Sequence, residues 1–321
     1  MAEVPQLILQ HPNECAGYPA EIFPAWGKLT RHESGQLKEI HPLLDHMTDV
    51  AACFLALTEC SAIRRSLNYT ASRILNGADL QRLAVLVFLH DVGKANAGFQ
   101  SRRWQLPAHP PGYWPTSPFG HGPEGWELIA GRVPNAEQYA DGLPIAEILT
   151  WGDVAVAELL QASISHHGRP LDEDPTKQTD TIWKPVLDKN GAVLYDPSAT
   201  LVLMGNRLRQ SYPLAFAECH QPLPNHSAFV HLFAGLVQLA DWLGSDTRDS
   251  FFPYSIPDEN RIKTAPARAI FAVHAIGLDV GRWREKLYSR PPVFAQAFDV
   301  ARARPMQEIA GELTMGRIVV L

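Results

Sequence analysis

Apolar residues recur at helical spacing in four separate stretches, and each stretch carries or runs into histidine or aspartate. Leu43, Met47, Val50, Phe54 and Leu57 form the first stripe, just after Pro42, a residue suited to a first helical turn. Seven uncharged residues, Leu83 to Leu89, predict a buried helix that begins near Asp79, past a break at Gly77. This helix delivers His90 and Asp91 at its end, where Val92-Gly93-Lys94 stops the apolar run. A third helix starts near Asp153, continues through Val156, Leu159, Leu160 and Ile164, and ends at His166-His167-Gly168. Glycine is the usual left-handed residue past a helix end, so both imidazoles fall in the last turn. In the fourth, Ser227 is the expected cap, and Phe229, Leu232, Phe233, Leu236, Leu239, Ala240 and Leu243 make a wide apolar face around Asp241.

The remaining chain is weaker in pattern. Met1 to His41, with Pro5, Pro12, Pro19 and Pro24, reads as irregular structure laid over the core, and Pro107 to Pro118 as a long proline-rich surface loop. Val186-Leu187 and Val193-Leu194 around Asn190-Gly191 give the best hairpin signal. A further helix is expected near Ala267 to Leu287, then a linker at Arg290-Pro291-Pro292 and a terminal strand from Gly316 to Leu321. The prediction is an all-α fold with a small β-hairpin insertion. At 321 residues and 46% hydrophobic content the chain can fill a large core.

Charge narrows the function classes. A net charge of -6 without basic runs excludes a surface that grips duplex DNA along its length. Cys15, Cys53, Cys60 and Cys219 form no C-x-x-C pair and read as reduced thiols of a cytosolic protein. No leader pattern is visible, and no uninterrupted apolar stretch approaches the ~20 residues of a membrane helix, so neither export nor membrane insertion is expected.

The chemistry lies in the polar residues of the apolar stripes. A buried Asp91 needs a cation partner, and a metal held jointly with His90 is the simplest. Each member alone has a bland reading. His46 fits a satisfied core imidazole, with Asp49 either orienting it or facing solvent, and His121 fits a loop ligand or a surface histidine. His166 and His167 suit the negative end of a helix as well as a metal, and Asp241 can turn to solvent or pair with an arginine. Together the ordered series H…HD…HH…D is far more specific than any member. Imidazoles mixed with carboxylates suit manganese, iron, cobalt, nickel or zinc, with magnesium also admitted. Two such ions ~3.5 to 4 Å apart activate water for in-line phosphoryl displacement, which makes phosphate ester hydrolysis the best-matched chemistry.

The segments Trp26-Gly27-Lys28, HPLLDHMTDVAA around His46, HDVGKANAGFQ around His90, SHHG around His166 and ADWLGSD around Asp241 carry a resemblance. The chain resembles the N-terminal HD nuclease domain of the CRISPR-associated nuclease-helicase of type I systems, the type I-E branch in particular. The resemblance implies a first metal held by His46, His90, Asp91 and Asp241, and a second held by Asp91, His121, His166 and His167. His109 shares the loop of His121. The resemblance also gives Asp91, Lys94 and Ser245 catalytic places at the metals, Lys94 to neutralise charge on the scissile phosphate and Ser245 to hold a phosphate oxygen or water.

The function so implied is metal-dependent hydrolysis of single-stranded DNA in CRISPR interference, coupled to a helicase and recruited by a crRNA-guided surveillance complex (Cascade) in the cytoplasm. Lys94, Arg102, Arg103 and Arg169 are compatible with a strand-wide groove. Residues 1–285 would be the HD domain, and 286–321 a linker and the start of a helicase domain, since Arg304-Pro305-Met306-Gln307 is similar to the entry into that helicase. No G-x-x-x-x-G-K-[ST] phosphate loop occurs. The chain is therefore expected to be either a truncation, which its ending within a strand favours, or a separately encoded nuclease. The competing readings are an HD phosphohydrolase of small nucleotides and a docking module whose metals only staple helices.

Overall fold

The computed structural model describes residues 25–35, 37–103, 118–168, 171, 180–188, 190–217, 221–248, 251–254, 260–279, 295, 299 and 301–311. Within them helices dominate, as predicted, joined by two small antiparallel hairpins. Most of the expected proline-rich loop, the expected linker at Arg290-Pro291-Pro292, the terminal strand, Cys15, Cys219, His109 and Arg169 lie outside the described residues.

The helix α1 (Leu43–Glu59) is the hub. Leu43, Met47, Val50, Cys53, Phe54 and Leu57 are all buried, and so are Asp45, His46 and Asp49 on its other sides. A helix buried all round must be wrapped. Around α1 pack α3 (Gly77–Phe88), α10 (Ser227–Gly244) and α11 (Arg261–Ala275), while α8 (Asp153–Ile164) lies against α10 and α3. Between α1 and α3 runs α2 (Ser61–Thr70); α4 (Ala97–Gln100), α5 (Gly122–Ile129), α6 (Ala136–Ala140), α7 (Ile145–Leu149) and α9 (Pro197–Ser211) fill the periphery. By length and composition α10 is apolar enough to cross a membrane, yet Phe229, Phe233, Val237 and Ala240 are buried within the bundle.

Several boundaries differ from expectation for identifiable reasons. The stretch read as irregular contains a hairpin, β1 (Trp26–Arg31) with β2 (Leu37–Pro42), which ends directly at α1. Its strands are short and only partly buried, so they carry little periodicity. The buried α3 starts at Gly77 because Asn76 and Asp79 close a reciprocal capping box. In α10 the capping position is His226, without a side-chain cap, and Ser227 is the first helical residue. Among the described residues the last long helix, Arg261–Ala275, begins before the expected Ala267 and holds Pro266 inside it; residues 280–287 of the expected stretch lie outside the described residues. Burial of Ala265, Ala269, Ala272 and Val273 outweighs the helix-breaking tendency of the proline. The second hairpin, β3 (Val186–Leu187) with β4 (Val193–Tyr195), falls where Asn190-Gly191 predicts it, with Gly191 at φ +83°. Cys53 and Cys60 are free thiols.

Candidate metal centre

His90 and Asp91 are not on α3 itself but on a tighter 3-10 turn, Leu89–Ala95, that follows it. Asp91 has φ -111° and ψ 17°, close to the sparsely populated bridge region common at functional sites. This turn is held from several sides. Gly93 lies so close to the loop before α5 that a Cβ there would sit 1.7 Å from the His121 carbonyl oxygen. Asn96 donates to the carbonyls of Gly93 and Gly120, which ties the same loop down. The residue type at position 93 is thus dictated by the approach of His121.

Side-chain hydrogen bonds then aim the imidazoles. His90 Nδ1 donates to the Val87 carbonyl at 2.9 Å, and His166 Nδ1 to the Ser163 carbonyl at 3.1 Å. A carbonyl only accepts, so in both rings Nδ1 carries the proton and Nε2 keeps its lone pair toward the site. His46, from α1, directs Nε2 to 3.2 Å from Asp91 Oδ2 and 3.4 Å from Asp241 Oδ1. The rings of His121 and His167 bring their Nε2 atoms 3.1 Å apart.

Two clusters result, each with its ligand atoms within 4.8 Å of one another: His46, His90 and Asp91, and His121, His166 and His167. Asp91 joins them. Its Oδ2 is 3.2 Å from both His46 and His90, and its Oδ1 is 3.3 Å from His121 and 3.8 Å from His166. Asp241, on α10, adds Oδ1 to the first cluster, 3.8 Å from His90 Nε2. All seven histidines and aspartates singled out in the sequence thus meet at one place, although only His46 and Asp241 sit on helices, α1 and α10; His90 and Asp91 come from the 3-10 turn after α3, His121 from the loop before α5, and His166 and His167 from the turn just past the end of α8 rather than from its last turn.

Their protonation suits cation binding. Burial lowers the basicity of His46 and His167, and burial with the nearby His90 brings His166 down to about 3. These rings are neutral near pH 7 and hence able to ligate. Burial works to raise Asp91, but Lys94 and then His90 hold it well below the usual carboxylate range. Asp241 is held low despite burial by the nearby His46 and His90 rings and by Lys28. Both carboxylates are therefore ionised.

The polar atoms are also under-satisfied. His46 Nδ1 and Nε2, His90 Nε2 and both Asp91 oxygens are buried without a hydrogen bond. Lys94 Nζ, 2.6 Å from Asp91 Oδ2, supplies an ion pair, though not in hydrogen-bond geometry. Burying such groups unmatched costs several kcal/mol by order of magnitude, and divalent cations coordinated by the same atoms would offset it. The residues fit divalent cations.

Ser245 follows one turn beyond Asp241 and donates to its carbonyl and, at 3.1 Å, to Oδ1. Lys28, on β1, donates to Ser245 Oγ and lies 3.7 Å from Asp241 Oδ1. Sequence reasoning gave Lys28 no role of its own; the signal available was its place in Trp26-Gly27-Lys28. Asp49 neither orients His46 nor meets solvent. It is buried against Arg261, with Nε to Oδ1 at 2.7 Å, and against His41 at 3.1 Å.

The sequence profile of the Cas3 HD domain matches residues 26–250. The chain belongs to the Cas3 HD-domain family. That family consists of metal-dependent nucleases of CRISPR defence, hydrolases whose HD domains bind divalent metals, and the cluster around Asp91 fits such an HD site. Among solved structures, one described as a CRISPR-associated protein is similar with a TM-score of 0.57 at 21% identity, over 92% of this chain and 31% of that one. Cas3 of T. fusca matches at 0.52 and 16% identity, again over 92% and 31%. The Cas3 HD domain of Thermus thermophilus, solved in the presence of Ni2+, matches at 0.46 and 25% identity, over 74% of this chain and 85% of that one. The Cas3 HD domain described here thus spans about a third of the length of the first two. No protein of curated function matches it.

Proposed function

We propose that this Cas3 HD domain hydrolyses phosphodiester bonds of single-stranded DNA in CRISPR interference of the type I-E kind. The observation that carries the reading is Asp91, one carboxylate oxygen facing each histidine cluster. His46, His90, Asp91 and Asp241 would hold one divalent ion, and Asp91, His121, His166 and His167 a second. When bound, such ions supply an activated water and stabilise charge on the attacking and leaving oxygens of a phosphoryl displacement. The protein's own part is orientation. The bonds from His90 and His166 to backbone carbonyls keep their Nε2 lone pairs turned inward, and Asp91 stays ionised. Lys94, only 9% exposed in its side chain, brings a fixed positive charge to the reacting phosphate.

A single strand is favoured over a duplex by two features. The net charge of -6 does not suit a long duplex, and Trp242, adjacent to Asp241, is 71% exposed, offering a ring on which an unpaired base can stack. Arg102, stacked over Phe99 at 4.9 Å, adds a nearby guanidinium. Coupling to a helicase and recruitment in the cytoplasm by a crRNA-guided surveillance complex, Cascade, complete the reading; residues 1–285 form the nuclease and 286–321 the passage to the helicase. The test is a substrate panel assayed with and without chelation. Metal-dependent cutting of circular single-stranded DNA is expected, and hydrolysis of free nucleotides without cutting DNA would replace this reading with a small-nucleotide phosphohydrolase.

A further inference from the structure

Lys28 is a charged residue at the site that the two clusters do not use. Its ammonium donates to Ser245 Oγ and approaches Asp241 Oδ1, and its side chain is 25% exposed. Lys94, far less exposed, lies against Asp91 and donates to the Gly27 carbonyl at 3.2 Å. Each carboxylate therefore has one lysine as counter-ion, but only Lys28 stands at the edge of the site with solvent beside it.

The strand that bears Lys28 is anchored to the metal-centre turn. Gln100 Oε1 accepts from Trp26 N, its Nε2 donates to Trp26 O and Lys94 O, and its backbone carbonyl accepts from the Trp26 indole. In the hairpin, Trp26 pairs with Pro42 and Lys28 with His41, so Gly27 is an extra residue in β1. A bulge of this kind re-aims a side chain and is frequent beside active sites. A Cβ at Gly27 would lie 3.2 Å from both His46 Cβ and Leu43 Cα, so its absence lets the strand run close against α1. These contacts determine where Lys28 projects.

Divalent cations on Asp241 would take over the charge balance that Lys28 now provides there. A partly buried ammonium so released is costly unless an anion meets it, and its long stem gives it reach. Ser245, within hydrogen-bond distance of the same ammonium, adds a hydroxyl. We propose that Lys28 is a substrate-holding residue, which with Ser245 binds a non-bridging phosphate oxygen of the scissile strand on the Asp241 side, while Lys94 stays paired with Asp91. The proposal rests on the nuclease reading above.

The experiment compares wild type, Lys28→Met and Lys28→Arg in the full chain. It reads Ni2+ and Mn2+ binding by calorimetry, steady-state cleavage of single-stranded DNA, and calorimetric binding of inorganic phosphate to the metal-loaded protein. Lys28→Met should keep the metal stoichiometry and melting temperature, and lose about 10- to 100-fold in kcat/KM, mainly through KM, as removal of one charge-assisted hydrogen bond implies. Phosphate should bind more weakly by a similar factor, and Lys28→Arg should recover most of both losses. Lys28→Met with wild-type KM and phosphate affinity would overturn the proposal, as would loss of bound metal in step with activity, which would make Lys28 a structural counter-ion. If wild type cuts no DNA, the nuclease reading fails by itself, and the phosphate titration still decides the role of Lys28.

Discussion

Asp91 faces His46 and His90 with one oxygen and His121 and His166 with the other, so a single substitution addresses both clusters. Asp91→Asn should leave the helical content intact, reduce divalent metal by more than one equivalent per chain, and lower cleavage by about 100-fold or more. Elemental analysis beside circular dichroism checks this, and a melted fold would favour metals that only staple helices. Acid gives a second test. His166 is held at about 3 in the folded protein against an ordinary 6.5, and burial depresses His46 and His167 as well. Between those values the unfolded chain binds more protons, so stability rises with pH across the window and falls on acidification through 6.5. Thermal melts of chelated protein should therefore drop by several degrees from pH 7 to pH 5. These histidines were legible in the sequence because each interrupts or ends an apolar stripe. Asp49 was not, because its partner Arg261 lies 212 residues away in a helix obscured by Pro266.

At the scale of elements, boundaries depend on contacts that no local pattern encodes. The apolar run of α3 announced a buried helix, but its change to a 3-10 turn at Leu89 depends on the packing of Gly93 against the loop before α5. Gly93→Ala would drive a methyl group into the His121 carbonyl. It should destabilise the domain by about 2 kcal/mol or more and displace His121. Calorimetry should then find the site containing His121, His166 and His167 weakened more than the site containing His46. Asp49→Ala acts elsewhere, by removing the carboxylate that pairs with the buried Arg261 guanidinium. A loss of about 3 to 5 kcal/mol, read by denaturant unfolding, is expected.

For the whole molecule, the helical architecture and the convergence of four helices follow from the same apolar stripes, since a hub as buried as α1 has to be surrounded. The hairpin before α1 escaped because partial burial leaves short strands almost without pattern. Surface features bear on the polymer rather than the chemistry. Trp242→Ala should weaken binding of a single strand by about 1 to 3 kcal/mol while leaving metal content unchanged, as measured by fluorescence anisotropy and elemental analysis.

The interlock between Gln100 and Trp26 bears on how small this enzyme can be made. A polypeptide pared back to start at α1 would keep every proposed ligand, yet it would strip the Gln100 carboxamide of both its exchanges with Trp26 and deprive Lys94 of the Gly27 carbonyl. Such a minimal bundle should still collect metal while its polar floor loosens, so ion uptake and turnover would part company.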